Sequence, residues 1–320
     1  MGRPRHERIF ASSCIQGAVP ANLAGPMYSF LMSCLSVSLA FSLVAQERPL
    51  VDADVPVRQE VAVLLKQVVE TMDDGQSSAG APGLEQLCRR VAVVADRLPE
   101  GSMVRTRLMS TVAHAQNVGG SRNSRSPVRS LRRSLDQLIS DLRFKPYDEA
   151  PLPDGFPKYR AVDEIELKSY PGYRMVETGM RGAQEMGAFW VLFNHIKDRD
   201  IAMTSPVQVD YSDKNTRQEA TMAFLYRTPD LGPVGPAGRA DVVDVPPMMV
   251  ASIGARGQDR RSRVVELRER LQAWLRSAKD EYEACGPMRV MSHNSPMVRG
   301  NRRFFEVQIP VRRVERTSSN

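Results

Sequence analysis

A short pattern that occurs twice is the strongest constraint on how this chain can fold. Ser205-Pro-Val-Gln-Val209 reappears as Gly286-Pro-Met-Arg-Val290, each time after an amphipathic helical stretch. The first stretch, about residues 183–197, carries Phe189, Trp190, Phe193 and Ile196. The second, about 261–279, carries Val264, Leu267, Leu271, Trp274 and Leu275. Both have the three- and four-residue spacing of a helix with one apolar side. A strand pair precedes each helix. Glu164–Tyr170 alternates polar and apolar residues as a half-buried strand does, Pro171-Gly172 supplies a turn, and Tyr173–Thr178 is the partner. Asp241–Val245, Pro246-Pro247 and Met248–Ile253 repeat that order. Strands near 205–211 and 220–227 follow the first helix, and strands near 286–293 and 303–311 follow the second.

The landmarks keep similar distances. Pro171 to Pro206 is 35 positions and Pro246 to Pro287 is 41; Pro206 to Met222 is 16 and Pro287 to Phe304 is 17. Two ββαββ copies are therefore expected. Neither could cover both faces of its own sheet. Joined, they predict an α+β fold: a distorted eight-stranded antiparallel β-barrel or saddle of two pseudo-symmetric halves with two flanking helices. Thr228–Arg239, rich in Pro and Gly, reads as a surface crossing between the copies without functional weight.

The region ahead of the duplication has a different period. Val57, Val61, Leu64, Leu65 and Val68 recur at helical spacing, as do Leu84, Leu87, Val91, Val94 and Leu98. Gly75–Gly83 is a breaker cluster between them, a third helix runs from about Ser102 to Ala115, and Asn117–Pro127 is a loop. Val128, Leu131, Leu135, Leu138 and Leu142 form the stripe of a fourth helix. A small all-α module is thus expected over 55–144, with Arg129, Arg132 and Arg133 on a solvated face. Four prolines and three acidic residues between Lys145 and Pro157 have the composition of a linker. Residues 314–320 read as a disordered tail.

Arg3, Arg5 and Arg8 precede an apolar, serine-rich run from Tyr28 to Ala45, barely as long as a membrane span of about twenty residues. Residues 1–45 accordingly read as an export signal, with Met27 a candidate initiator, or as an uncleaved anchor that would tether the protein through residues 28–45. A cytoplasmic protein is the alternative if the run is not a signal. The tetrapeptide Leu31-Met-Ser-Cys34 resembles a lipidation site, but the apolar run continues past Cys34 where it should end, so that reading is discounted.

Apolar content of 42% and charged content of 25% are globular values, and the net charge of +7 is spread along the chain. No basic stripe interleaves with aromatics, so a nucleic-acid partner is not expected. Cys14, Cys34, Cys88 and Cys285 have neither metal-ligand spacing nor a disulfide framework. No nucleophile–base pair, paired carboxylates at motif spacing or phosphate loop marks an enzyme.

Several segments match a known family in order and spacing. They are Glu164–Tyr170, the Phe-Trp-Val-Leu-Phe-Asn-His-Ile helix, Ile201-Ala-Met-Thr-Ser-Pro-Val207 and Met222-Ala-Phe-Leu-Tyr226. Asp241-Val-Val-Asp-Val-Pro-Pro247, His293-Asn-Ser-Pro-Met297 and Arg302-Arg-Phe-Phe-Glu-Val307 complete the set. Together, over about residues 158–313, they resemble the SOUL haem-binding protein family. The chain is also similar to effector-binding domains of some bacterial regulators, which hold flat apolar ligands in a related fold. The SOUL resemblance implies a barrel of two pseudo-symmetric halves and non-catalytic binding of haem or another tetrapyrrole in an apolar groove along the first helix.

A haem needs an apolar wall, cations for its two carboxylates and, optionally, axial ligands. On the resemblance, the helix offers Met186, Phe189, Trp190, Phe193 and Ile196, and the loop before the last strand offers Met297, Arg299, Arg302 and Arg303. Arg299 and Arg302 are the carboxylate candidates, since guanidinium matches carboxylate geometry. His195 is the candidate axial ligand and His293 a second. The same residues have plainer readings: Phe189, Phe193, Ile196, Met203 and Met222 as core, His195 as a surface histidine. Where some relatives place basic residues on this helix, Met186 and Asn194 stand here. A binding module for another small amphipathic molecule is one alternative. A structural envelope protein whose helical module binds a partner is the other.

Overall fold

The computed structural model describes residues 55–73, 81–100, 102–119, 125–159, 161–180, 185–212 and 219–315. The expected signal or anchor and residues 316–320 of the expected tail lie outside them. Among the described residues four helices come first: α1 (Val55–Asp73), α2 (Ala81–Ala95), α3 (Met103–Gly119) and α4 (Arg125–Leu142). Their apolar stripes meet in one core that includes Val61, Leu65, Leu87, Val91, Leu108, Leu131, Leu135 and Leu138, all fully buried. Each such leucine contributes about 1.5–3 kcal/mol by leaving water, which is what closes the bundle. Among the described residues no helix is long and apolar enough to cross a membrane.

The remainder is a mixed α+β unit. In order come β1 (Ile165–Tyr170), β2 (Tyr173–Gly179), α5 (Glu185–Asp198), β3 (Val207–Tyr211), β4 (Glu219–Leu225), β5 (Gly235–Ala237) and β6 (Ala240–Val245). Then follow β7 (Met248–Arg256), α6 (Arg261–Ser277), β8 (Tyr282–Ala284), β9 (Arg289–Ser292) and β10 (Phe304–Arg313). The ten strands make one antiparallel sheet in the order β1-β7-β10-β9-β3-β4-β2-β6-β5, with β8 added on β10.

Exchanging β1 with β6, β7 with β2, β10 with β4 and β9 with β3 leaves the eight-strand order unchanged. The centre of that exchange is the β3–β9 pair, where Val209 faces Val290, Gln208 faces Met291 and Asp210 faces Arg289. One landmark shifts. Val209 faces Met222 across β3–β4 and Val290 faces Val307 across β9–β10, so Met222 corresponds to Val307 and not to Phe304. From the prolines this gives 222 − 206 = 16 positions against 307 − 287 = 20, the extra residues lying in the 293–303 loop.

The expected eight-stranded barrel does not close. β1 pairs only with β7, and the far edge of β6 is taken by β5, which comes from the crossing read as a featureless connector. The open sheet is covered on its two faces by different means. α5 packs over Val176, Met222, Phe224, Tyr226 and Val242, and α6 over Ile253, Val290, Phe305, Val307 and Ile309, both on one face. On the opposite face lies the segment read as a linker. Phe156 sits edge-on to Tyr170 (4.9 Å) and Tyr173 (5.1 Å), while Phe144 and Tyr159 pack on Phe304 at 6.2 and 5.2 Å. With both faces buried in this way, closing the strands would leave no room for the strap. On β1, Glu166, Lys168 and Tyr170, which alternation alone turns toward water, are buried, while Leu167 is half-buried and Ser169 exposed on the other side.

The helical bundle joins the sheet through buried charge. Arg58 of α1 pairs with Glu164 and donates to the Val162 carbonyl at 2.8 Å. Arg107 of α3 reaches Asp163, which also receives Arg263 (3.1 Å) and Arg270 (3.2 Å) from α6. Asp141 of α4 holds Arg107 and, at 2.8 Å, Arg256. Asp163 is fully buried and has φ 65°, a left-handed conformation that Asp tolerates better than most residues.

Candidate functional site

Two of the exposed large apolar side chains of the sheet unit, Met186 and Trp190, are on α5. The helix buries Ala188, Leu192 and Ile196 against β2, β4 and β6. One quarter-turn round, Phe189 and Phe193 are half-buried, stacked at 6.0 Å, with Phe189 edge-on to Phe224 at 5.2 Å. Trp190 meets both phenylalanines edge-on at 5.9 and 5.5 Å yet stays 51% exposed, and Met186, one turn earlier, is 61% exposed. The three aromatic side chains are in mutual contact and backed by Phe224, with Met186 on the preceding turn. Lys197 and Arg199 are exposed at the end of the same helix.

His195 is on the inward side instead. It is 5% exposed, and its Nε2 lies 2.7 Å from the Tyr226 hydroxyl. Burial, and then the charge of Arg199, push its pKa below the usual imidazole range. Only Nδ1 is without a hydrogen-bond partner. Strand alternation exposes neither that tyrosine nor its pairing; it takes the packing of α5 on β4 to bring them together.

Met297, Arg299 and Arg302 occupy the 293–303 loop. Met297 is 92% exposed; Arg299 and Arg302 are exposed, and the Arg302 guanidinium lies 5.4 Å from the ring of Tyr147. The loop is stiffened by Arg303, which donates to the carbonyls of Val298 (2.8 Å) and Pro296, and is tied to the strap by Asn294 to the Tyr147 carbonyl (2.8 Å) and Ser295 to Glu149. The structure thus gathers Met186, Phe189, Trp190 and Phe193 on one helix, and Met297, Arg299 and Arg302 on a loop whose partners are in the strap. His293 is buried, packed edge-on to Tyr159 at 5.6 Å, with Nε2 3.8 Å from the Glu306 carboxylate.

The strap-covered face carries a polar array. Lys168 bridges Glu166 (3.1 Å) and Glu306. Gln308 links Glu306 (2.8 Å) to the Tyr170 hydroxyl (2.9 Å), and Arg289 links Gln308 (3.0 Å) to the Tyr173 hydroxyl (2.7 Å). Tyr173 donates to Gln208, which holds Asp210. Burial pushes the Glu306 carboxyl up, but Lys168 and then His293 pull harder the other way, and it rests well below the usual carboxylate range. The signal in the sequence was the charged and polar residues at alternate positions of several strands, which only register turns into pairs. Among the described residues no cluster of three His, Cys, Asp or Glu could hold a metal ion.

The sequence profile of the SOUL heme-binding protein family matches residues 156–310. Over these residues the chain is similar to a SOUL domain. The match begins at Phe156 and leaves out the helical bundle. Solved structures similar to this chain include three of low identity. The EcmrR C-terminal domain has 12% identity over 47% of this chain and 98% of that chain, with a TM-score of 0.39. A hydrolase from Listeria innocua has 12% identity over 48% and 94%, at 0.36, and SAV2435 bound to tetraphenylphosphonium has 11% over 47% and 94%, at 0.31. No curated protein matches the sequence.

Proposed function

We infer that this protein binds haem or another flat tetrapyrrole on the outer face of α5, and does so without transforming it. The observation that carries the reading is the exposed surface of Met186, Phe189, Trp190 and Phe193 on a helix of a SOUL-like sheet unit. A contiguous aromatic patch is costly to leave in water and suits a flat apolar ring. Lys197 and Arg199, at the end of the same helix, are exposed cations available to ring carboxylates. The twofold strand order supports two copies of one ββαββ unit, with α5 and α6 as counterparts.

His195 favours a second reading. Its burial and its bond to Tyr226 make it a poor axial ligand, and the patch itself offers only the Met186 thioether. An iron-free porphyrin or another amphipathic ring would meet the same surface. Titrating the full chain with haemin and with iron-free protoporphyrin separates the cases. The expected result is a saturable shift of the Soret band and quenching of tryptophan fluorescence by both ligands. Most of that quenching is lost in Trp190→Ala and retained in Trp274→Phe. Tight binding that ignores Trp190→Ala would place the ligand elsewhere.

A further inference from the structure

The strap-covered face of the sheet is built unlike a core. Buried charges and donors normally find partners, because an orphaned one costs about 1–3 kcal/mol. Arg289 is 2% exposed; its Nε and Nη1 are engaged by Gln308 and Tyr173, its guanidinium lies 4.9 Å from the ring of Tyr170, and its Nη2 has no partner. Phe156 sits edge-on to the same two tyrosines. Met175, Leu225, Val250 and Met291 complete its apolar walls.

Phe156 is carried on a strap of Pro151, Pro153, Gly155 and Pro157, with Gly155 at φ +77°. The strap is held at the rim by two backbone hydrogen bonds, Ser205 N to Pro151 O and Asp154 N to Arg227 O, both 2.9 Å, and by the exposed ion pair of Arg227 and Asp154. The 147–149 end is tied separately to Asn294 and Ser295, and within 151–157 Phe156 is the deep anchor.

We propose that the slot beneath Phe156 is a second ligand site, for a planar aromatic molecule carrying a neutral hydrogen-bond acceptor, with the strap at residues 151–157 as its built-in occupant. The ligand's ring replaces the phenyl group between Tyr170 and Tyr173, and its acceptor takes the free N–H of Arg289. A neutral acceptor is preferred to a carboxylate because Asp210 faces Arg289 across the strands and Glu306 lies beyond Gln308. This site is separate from the α5 surface and stands or falls without it.

The test is a titration of the full chain with benzamide, using toluene as the ring without an acceptor, followed by ligand-observed NMR and by hydrogen exchange in peptides spanning 151–157. Benzamide binds saturably, accelerates exchange of those peptides and is preferred to toluene. Phe156→Ala binds benzamide about tenfold more tightly, since the closed strap no longer competes. Arg289→Lys loses the preference for benzamide over toluene. Unaltered exchange of 151–157 at saturating benzamide overturns the proposal, and this holds even if Phe156→Ala fails to fold. Equal binding of toluene and benzamide by Phe156→Ala overturns it too, since the slot would then be only a hole in a core.

Discussion

Asp163→Asn tests whether the helical bundle and the SOUL-like sheet unit unfold as one unit. The carboxylate is fully buried and receives arginines from α3 and α6, whose side chains are 18–24% exposed. Removing one partner of a buried pair costs about 3–5 kcal/mol. Here the loss is smaller, because Arg107 keeps Asp141 while Arg263 and Arg270 keep Glu266. About 2–4 kcal/mol is the reasoned figure, reflecting that partial re-pairing and exposure. At roughly 2–4 °C per kcal/mol for a protein of this size, Tm falls by about 5–15 °C. Asparagine accepts the positive φ, so backbone strain does not confuse the result. Urea unfolding should be followed by helical ellipticity, dominated by the bundle, and by fluorescence of Trp274 on α6. Both transitions move together to lower urea. A loss below about 1 kcal/mol, or two transitions that separate, would refute the claim that this hub couples the modules.

Two further perturbations probe the sheet. A Cβ added in Gly254→Ala would lie 2.7 Å from Phe304, whose ring is clamped by Phe144, Tyr159 and His293. Overpacking there should cost about 1–3 kcal/mol by calorimetry, and an unchanged Tm would show that Phe304 has room to move. Glu306 sets a pH dependence. Its folded pKa is depressed, so its stabilisation is complete above the unfolded carboxylate value of about 4.3 and drains away as pH falls toward the folded value. Glu306→Gln should therefore flatten the acid limb of a stability–pH curve; a limb as steep as the wild type's would mean other carboxylates set it.

Local pattern alone carried much of this. Helical spacing placed α1 to α6, alternation and the paired prolines placed the principal strands, and the aromatic content of α5 marked its surface, because these depend on neighbours three or four positions apart. What lay beyond sequence was everything set by contacts between distant segments. The crossing at 228–239 supplies β5, the linker becomes a strap with Phe156 inside, and His195 turns inward to Tyr226. Likewise Lys168 and Glu306, 138 positions apart, meet only because β1 and β10 both pair with β7. A period of two tells that a strand has two faces; whether water, a helix or a strap covers each face is decided by what the rest of the chain has left to bury.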